Sequence, residues 1–530
     1  MMIWRMAVGL LPMATLMGAA VDVRAETATR AQVDAQIAPA VGCQAFHRTD
    51  LQQLEYPAML MTSEVVDDDP QLPPFCRVTG IIQSQVQFEM RLPLAWNGRY
   101  YQRGCGGFCG EINIDKCDDA LARDFVVAAS NMGHVGLAVK DPVWGDVQEM
   151  REDYGALSAH KLAVVAKAVT QQFYGKAPAF NYLEGCSTGG REGLGAAQHH
   201  PEDFDGIVAG DPAFAGRLGA LANNWDARHL LRPDGSSVYT PAKLAILAGA
   251  VMSACDELDG VVDGIIMDPR RCTYDPAVLQ CAQGDAADCL TQEEVTVARA
   301  TYEGPRNSAG QSLMPGAGAP RGSELSWSGA GRLALTGGYL RYLAFEENPP
   351  AGWDWREFDF DQDVAKTEAS AALYDPVAPH TAPDLRAFNQ RGGKLLVYHG
   401  WADPGVTPFA MLDYYGQVSA REGGMDATRD WFRLFMVPGM YHCRGGNAPN
   451  TFDMLTPIVN WVEKGVAPDG IVAHQLADDG SELRSRPLFA YPAYAALSGE
   501  DPDRADSWTA ALPEGAVDDR DNDWIWAPAS

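Results

Sequence analysis

The chain has 530 residues, 46% of them hydrophobic, and a formal net charge of −29. That length and apolar content can bury a large core, equivalent to about three ordinary domains. The strong negative charge argues against nucleic acid or an anionic membrane as the main partner, and against highly anionic polymers as substrates.

The N-terminus reads as an export signal over residues 1–25. Arg5 is followed by an apolar run from Met6 to Ala20, and the small residues around Val23 and Ala25 suit cleavage before Glu26. That run is short for a membrane span, and no other stretch is long enough. A secreted or periplasmic protein is therefore expected. The 11 cysteines agree, because oxidising compartments let disulfides persist, and the odd count leaves at least one without a partner in the chain.

From Gln52 to Glu64 the pattern is mixed, but Cys43 and Cys76 flank this arm, and a bridge between them would pin it. Val86, Phe88, Met90 and Leu92 alternate with polar residues at the period of a half-buried strand. Trp96-Asn97-Gly98-Arg99 reads as a hairpin turn into a strand at Tyr100-Tyr101-Gln102. The glycine-rich loop Gly104 to Gly110 follows, with Cys105 and Cys109 inside it and Cys117 beyond; the simplest local bridge is Cys109 to Cys117. Phe125 to Ala129 reads as a buried strand. Leu162, Val164, Val165, Ala168, Val169 and Phe173 recur at helical spacing, with His160 at the helix start as a structural histidine.

Gly185-Cys186-Ser187-Thr188-Gly189 fits G-x-S-x-G, the nucleophile elbow, between strand-like Phe180 to Leu183 and helix-like Leu194 to Gln198. A tight strand-to-helix turn has no room for side chains two residues before and after the serine, and Gly185 and Gly189 meet that need. The helix N-terminus aims free N–H groups at the oxyanion that forms on attack. Thr188 and, from the glycine-rich loop, Gly106 are the candidate oxyanion donors, with Gly107 as the alternative in that loop.

Asp203 to Gly210 reads as another strand. From residue 219 to 375 the strand-helix rhythm dissolves, and Cys255, Cys272, Cys281 and Cys289 crowd into loops. This reads as an inserted lid, stapled because its short segments form little core alone. Its aromatic residues Trp327, Tyr339, Tyr342, Phe345, Trp353 and Trp355, interspersed with Arg332, Arg341 and Arg356, either wall a substrate site or fill the insertion itself. The rhythm returns at Lys394 to His399, which ends in Gly400-Trp401-Ala402-Asp403, and at Leu434 to Val437, which ends in Pro438 to Cys443.

Ser187, Asp403 and His442 thus occur in the order nucleophile, acid, base of α/β-hydrolases, and both partners lie just beyond strand ends. His399 is the rival base but sits inside a strand. Cys186 precedes the serine and Cys443 follows the histidine, so a bridge between them would fix the separation of two distant active residues; two buried thiols are the alternative.

The segments Glu184 to Arg191, Pro201 to Gly210, His399 to Asp403 and Met436 to Cys443 closely resemble the tannase and feruloyl esterase family. The resemblance implies an α/β-hydrolase core at residues 26–218 and 376–530 with the lid at 219–375. It further implies the adjacent-cysteine disulfide and hydrolysis of esters of aromatic acids, small-molecule substrates such as hydroxycinnamic or gallic esters. It also implies a structural calcium in the lid, on Asp256, Asp259 and Asp263 with the carbonyls of Val261 and Ile265. Hard carboxylates crowded in one loop, with Gly260 and Gly264 letting it wrap, agree with calcium chemistry. The competing readings are a calcium-binding, non-catalytic module on the same scaffold and an acyltransferase using the same three residues.

Overall fold

The computed structural model describes residues 36–520 apart from 141, 215, 329, 375–382, 516 and 518. The expected export signal therefore lies outside the described residues. No helix among those described is long and apolar enough to cross a membrane.

A nine-stranded sheet organises the chain, in the order β1-β2-β3-β5-β4-β6-β7-β8-β9. Its strands are β1 (Ala58–Val66), β2 (Phe75–Ile82), β3 (Val86–Pro93), β4 (Arg99–Arg103), β5 (Val126–Ser130), β6 (Phe180–Cys186), β7 (Gly206–Gly210), β8 (Lys394–Gly400) and β9 (Phe432–Val437). The first three strands and β5 pair antiparallel, whereas β5, β4, β6, β7, β8 and β9 run parallel. Parallel strands need cover on both faces, and these read as continuous apolar runs for that reason: every residue of β5, β7 and β9 is buried.

Successive residues of these strands feed two separate cores. Tyr100, Val126, Leu183, Ile207, Val397 and Leu434 face helices α1 (Ser158–Tyr174), α2 (Thr188–His199) and, later in the chain, the helix Pro408–Arg421; their neighbours Tyr101, Val127, Tyr182, Val208, Leu396 and Phe435 face the opposite way, toward the helix Leu455–Lys464. The insertion between β7 and β8 carries α3 (Gly216–Leu230), α4 (Pro241–Cys255), α5 (Gln292–Glu303), α6 (Ala330–Tyr342) and α7 (Asp363–Tyr374). After β8 come α8 (Pro408–Arg421) and, after β9, α9 (Leu455–Lys464). Among the described residues the insertion adds no strand to the sheet. Thr240 caps α4 with proline at its first position, and Thr291 with Glu294 forms a capping box on α5.

The expected hairpin at Trp96-Asn97-Gly98-Arg99 is corrected. The turn exists, but β3 and β4 do not pair, because β5 lies between them. Residues 100–102 of β4 are buried on both faces, so β4 belongs at the sheet centre, where two parallel neighbours satisfy both its edges. Trp96 anchors the turn: its indole N–H donates to Arg99 O at 2.8 Å, and its ring stacks on Tyr174 with centroids 4.4 Å apart.

Five disulfides form: Cys43–Cys76, Cys105–Cys109, Cys186–Cys443, Cys255–Cys272 and Cys281–Cys289. The expected Cys109–Cys117 bridge is overturned. Cys109 packs with Phe108, Trp144 and Leu343 beneath the insertion, whereas Cys117 packs with Ile114, Leu121 and Tyr101 in the core that α9 covers, as a buried free thiol.

Candidate active site

Ser187 sits at the junction of β6 and α2 with φ 64° and ψ −119°, a left-handed backbone that a non-glycine residue adopts only where its surroundings impose it. The crowding that imposes it is measurable. A Cβ added to Gly185 would lie 2.6 Å from the Gly189 Cα, and one added to Gly189 would lie 2.9 Å from Cys105 O. Glycine at both positions is therefore a steric requirement.

His442 follows β9 and Asp403 follows β8, so the sheet delivers both to the same edge as the serine. His442 Nε2 lies 2.8 Å from Ser187 Oγ and Nδ1 lies 2.6 Å from Asp403 Oδ2. The other carboxylate oxygen of Asp403 accepts the N–H groups of Gly405 at 2.8 Å and Val406 at 3.0 Å, which fixes its orientation. Although burial works against charge on both groups, the attraction between them wins: His442 is pushed up to about 9 by Asp403, and Asp403 is held below its usual range by His442. The Cys186–Cys443 disulfide joins the residues flanking the serine and the histidine across 257 positions of sequence, with Cα atoms 6.1 Å apart.

His399, the rival base, is fully buried in β8. Its Nε2–H donates to Val406 O at 2.8 Å, and burial pushes it down to about 4, so it stays neutral and out of reach of substrate. His160 lies elsewhere, its Nδ1 2.6 Å from Asp203 Oδ2 and its ring stacked on His200.

The glycine-rich loop lies against the start of α2. Cys105 O accepts the Gly189 N–H at 2.8 Å, and Gly107 O accepts the Thr188 hydroxyl at 2.7 Å and the Tyr154 hydroxyl at 3.1 Å. Of the two loop glycines it is Gly107, with Thr188, that lines the cavity beside Ser187. Sequence reading missed the group that holds this loop from below: buried Glu192, five residues past the serine, accepts the Cys105 N–H at 3.0 Å, and burial raises its carboxyl to about 7.

The cavity over Ser187 encloses about 330 Å³. Its aromatic walls are Phe108, Tyr154, Phe214, Tyr339 and Tyr441. Of the six insertion aromatics singled out in the sequence, Tyr339 lines the cavity, while Trp327 packs on Tyr239 and Tyr302, and Phe345 and Trp353 pack with Phe358 and Leu343 inside the insertion. They are filling before they are wall.

The acidic loop after α4 wraps as its glycines suggest, with Gly260 at φ 90° and Gly264 at φ 77°. Asp256 accepts the N–H groups of Asp263, Gly264 and Ile265, and Asp263 pairs with Arg486 from β10 (Glu482–Phe489). Asp259 Oδ2 is buried with no hydrogen-bond partner. The donor set is that of a hard cation, and this orphaned oxygen is the one such an ion would satisfy. The three carboxylates do not close to within 4.8 Å of one another as the described histidine, cysteine and acidic clusters do.

The comparisons follow the same lines. The family described as tannase and feruloyl esterase matches residues 74–511. A mono(2-hydroxyethyl) terephthalate hydrolase from Piscinibacter sakaiensis is 32% identical, covering 81% of this chain and 83% of that protein. A probable feruloyl esterase B-2 from Aspergillus flavus is also 32% identical, over 77% of this chain and 81% of its own length. The crystal structure of feruloyl esterase B from Aspergillus oryzae superposes with a TM-score of 0.79 at 26% identity, over 89% of this chain and all of that one. With the elbow, the parallel sheet and the family match in agreement, the chain belongs to the tannase and feruloyl esterase family and is a carboxylic ester hydrolase with an α/β-hydrolase fold.

Proposed function

We propose that Ser187, His442 and Asp403 form the catalytic triad of a secreted hydrolase for esters of aromatic acids. The observation that carries this reading is the line Ser187 Oγ to His442 to Asp403, with contacts of 2.8 and 2.6 Å. His442 Nε2 takes the Ser187 proton as Oγ attacks the ester carbonyl. The same proton then passes to the departing alcohol or phenol oxygen, leaving an acyl-enzyme. Water, deprotonated by His442, attacks the acyl carbon and releases the acid, and the proton returns to Ser187 Oγ. Asp403 keeps the imidazole tautomer and balances the imidazolium. The Thr188 N–H at the start of α2 and an N–H of the Gly106-Gly107 turn are the donors proposed for the oxyanion.

The aromatic acyl group is supported by the ring-lined walls of the cavity, and export by the five disulfides. Calcium on Asp256, Asp259, Asp263 and the carbonyls of Val261 and Ile265 belongs to the same proposal, in a structural role. When bound it would supply positive charge that holds the acidic loop together; the residues that act on the ester are those above. Ser187→Ala is the deciding test: kcat should fall by about 10⁶ with folding intact, as for other triad serines. Activity within tenfold of the parent would overturn the assignment.

A further inference from the structure

Asp211 is a buried acid that the three-residue mechanism does not use. It follows β7 directly, as Asp403 follows β8, and it is fully buried. Its backbone sits at φ 35°, a left-handed setting that aspartate and asparagine tolerate better than most residues. Oδ1 accepts the Gly400 N–H at 2.9 Å, and Oδ2 lies 3.7 Å from Cys186 Sγ, against the bridge that joins the serine and histidine segments. Carboxylate oxygens of Asp211 and Asp403 and a ring nitrogen of His442 all fall within 4.8 Å of one another. His399 stands between the two acids, its Nε2 3.8 Å from Asp211 and 3.7 Å from Asp403. Two carboxyl groups thus converge on one imidazole from the ends of two adjacent strands.

We propose that Asp211 is a second acid for His442, a positioning residue that takes over part of the electrostatic support of the imidazolium when the charge of Asp403 is removed. In the parent protein Asp403 carries the negative charge, and Asp211 holds its proton because it is buried and faces that charge. The other titratable groups around it are His399 and Tyr398 from β8 and His442 from the loop after β9. His399 stays neutral, and the Tyr398 hydroxyl is pushed up by burial, so neither supplies charge near neutral pH. When Asp403 loses its charge, the main electrostatic reason for Asp211 to keep its proton goes with it. Asp211 then ionises more readily and supports His442 from its own side.

The proposal rests on the reading of Ser187, His442 and Asp403 as the catalytic triad, and the test separates the two. The full-length parent, Ser187→Ala, Asp403→Asn, Asp211→Asn and the Asp403→Asn/Asp211→Asn pair are assayed on 4-nitrophenyl acetate from pH 6 to 10. Loss of turnover in Ser187→Ala tests the nucleophile of that reading independently of Asp211. Removal of a triad acid ordinarily costs on the order of 10⁴ in kcat. Asp403→Asn is expected to lose markedly less, less than about 10³, and to show a rate that climbs with pH as Asp211 ionises. The pair should fall to the full loss of about 10⁴ and lose that climbing limb. Equal rates and equal pH profiles for Asp403→Asn and the pair would overturn the proposal even with Ser187 confirmed. Asparagine suits the backbone at 211 and can keep the Gly400 hydrogen bond. Should that variant fail to fold, Asp211→Gly in the Asp403→Asn background gives the same comparison, and persistence of the climbing limb there would equally overturn the idea.

Discussion

In the proposed mechanism His442 must be neutral to accept a proton, yet its pairing with Asp403 pushes it up to about 9. The acid limb of kcat/KM on a neutral ester is therefore expected well above the ordinary imidazole value of about 6.5, with activity climbing toward alkaline pH. A pH-rate profile checks this, and a limb at or below 6.5 would mean that Asp403 does not hold the charge. Glu192 makes a second expectation at this scale. Burial raises its folded value from 4.5 to about 7 against the pull of the Cys105 N–H, so the folded protein binds this proton more tightly than the unfolded chain does. The associated stability is fully present below pH 4.5 and is lost as pH rises through 7. The charge of −29 also destabilises as pH rises, so the readout is a difference: Glu192→Gln should show a flatter fall in Tm between pH 5 and 8 than the parent. Identical slopes would assign the effect to general repulsion.

The elements do their work through what they tie together. Cys186–Cys443 joins the end of β6, beside Ser187, to the loop that carries His442, and Cys105–Cys109 closes the glycine-rich loop that lies on α2. The local pairing of Cys105, Cys109 and Cys117 was not readable along the chain, because it depends on which side of the sheet each thiol enters, and that follows from the placement of β5 between β3 and β4. The acidic loop is likewise more connected in space than in sequence. A Cβ on Gly439, three residues before His442, would lie 3.5 Å from Ile265, and Arg484 binds both Asp263 O and Asn447 O. On the proposed calcium site, a chelator should lower Tm while leaving kcat largely intact at temperatures where the protein stays folded. Asp256→Ala with Asp259→Ala should abolish the stoichiometric metal measured by elemental analysis. Unchanged metal content in that variant would remove the site.

At the scale of the whole molecule, the substrate cavity lies where the sheet edge meets the insertion. Its rings come from both: Phe108, Tyr154, Phe214 and Tyr441 from the segments around the sheet, and Tyr339 from α6. Flat apolar walls favour an aromatic acyl group by roughly 0.5 to 1.5 kcal/mol for each well-placed ring pair. The kcat/KM for methyl ferulate or methyl gallate is accordingly expected to exceed that for methyl hexanoate by at least about tenfold, the ratio that about 1.4 kcal/mol represents. Equal or reversed preference would show that the cavity does not read the ring. The sequence by itself marked the central strand segments, the elbow and the candidates Ser187, Asp403 and His442, because these rest on local periodicity, on steric need for glycine, and on residues that end strands. Asp211 also follows the end of a strand, β7, but nothing along the chain sets it beside His442. Which aromatics line the cavity, which cysteines pair in the glycine-rich loop, and how two acids come to lie near one histidine were decided by the tertiary structure alone. Each depends on contacts between segments tens to hundreds of residues apart, and the distance between such segments is set by how the sheet orders its strands.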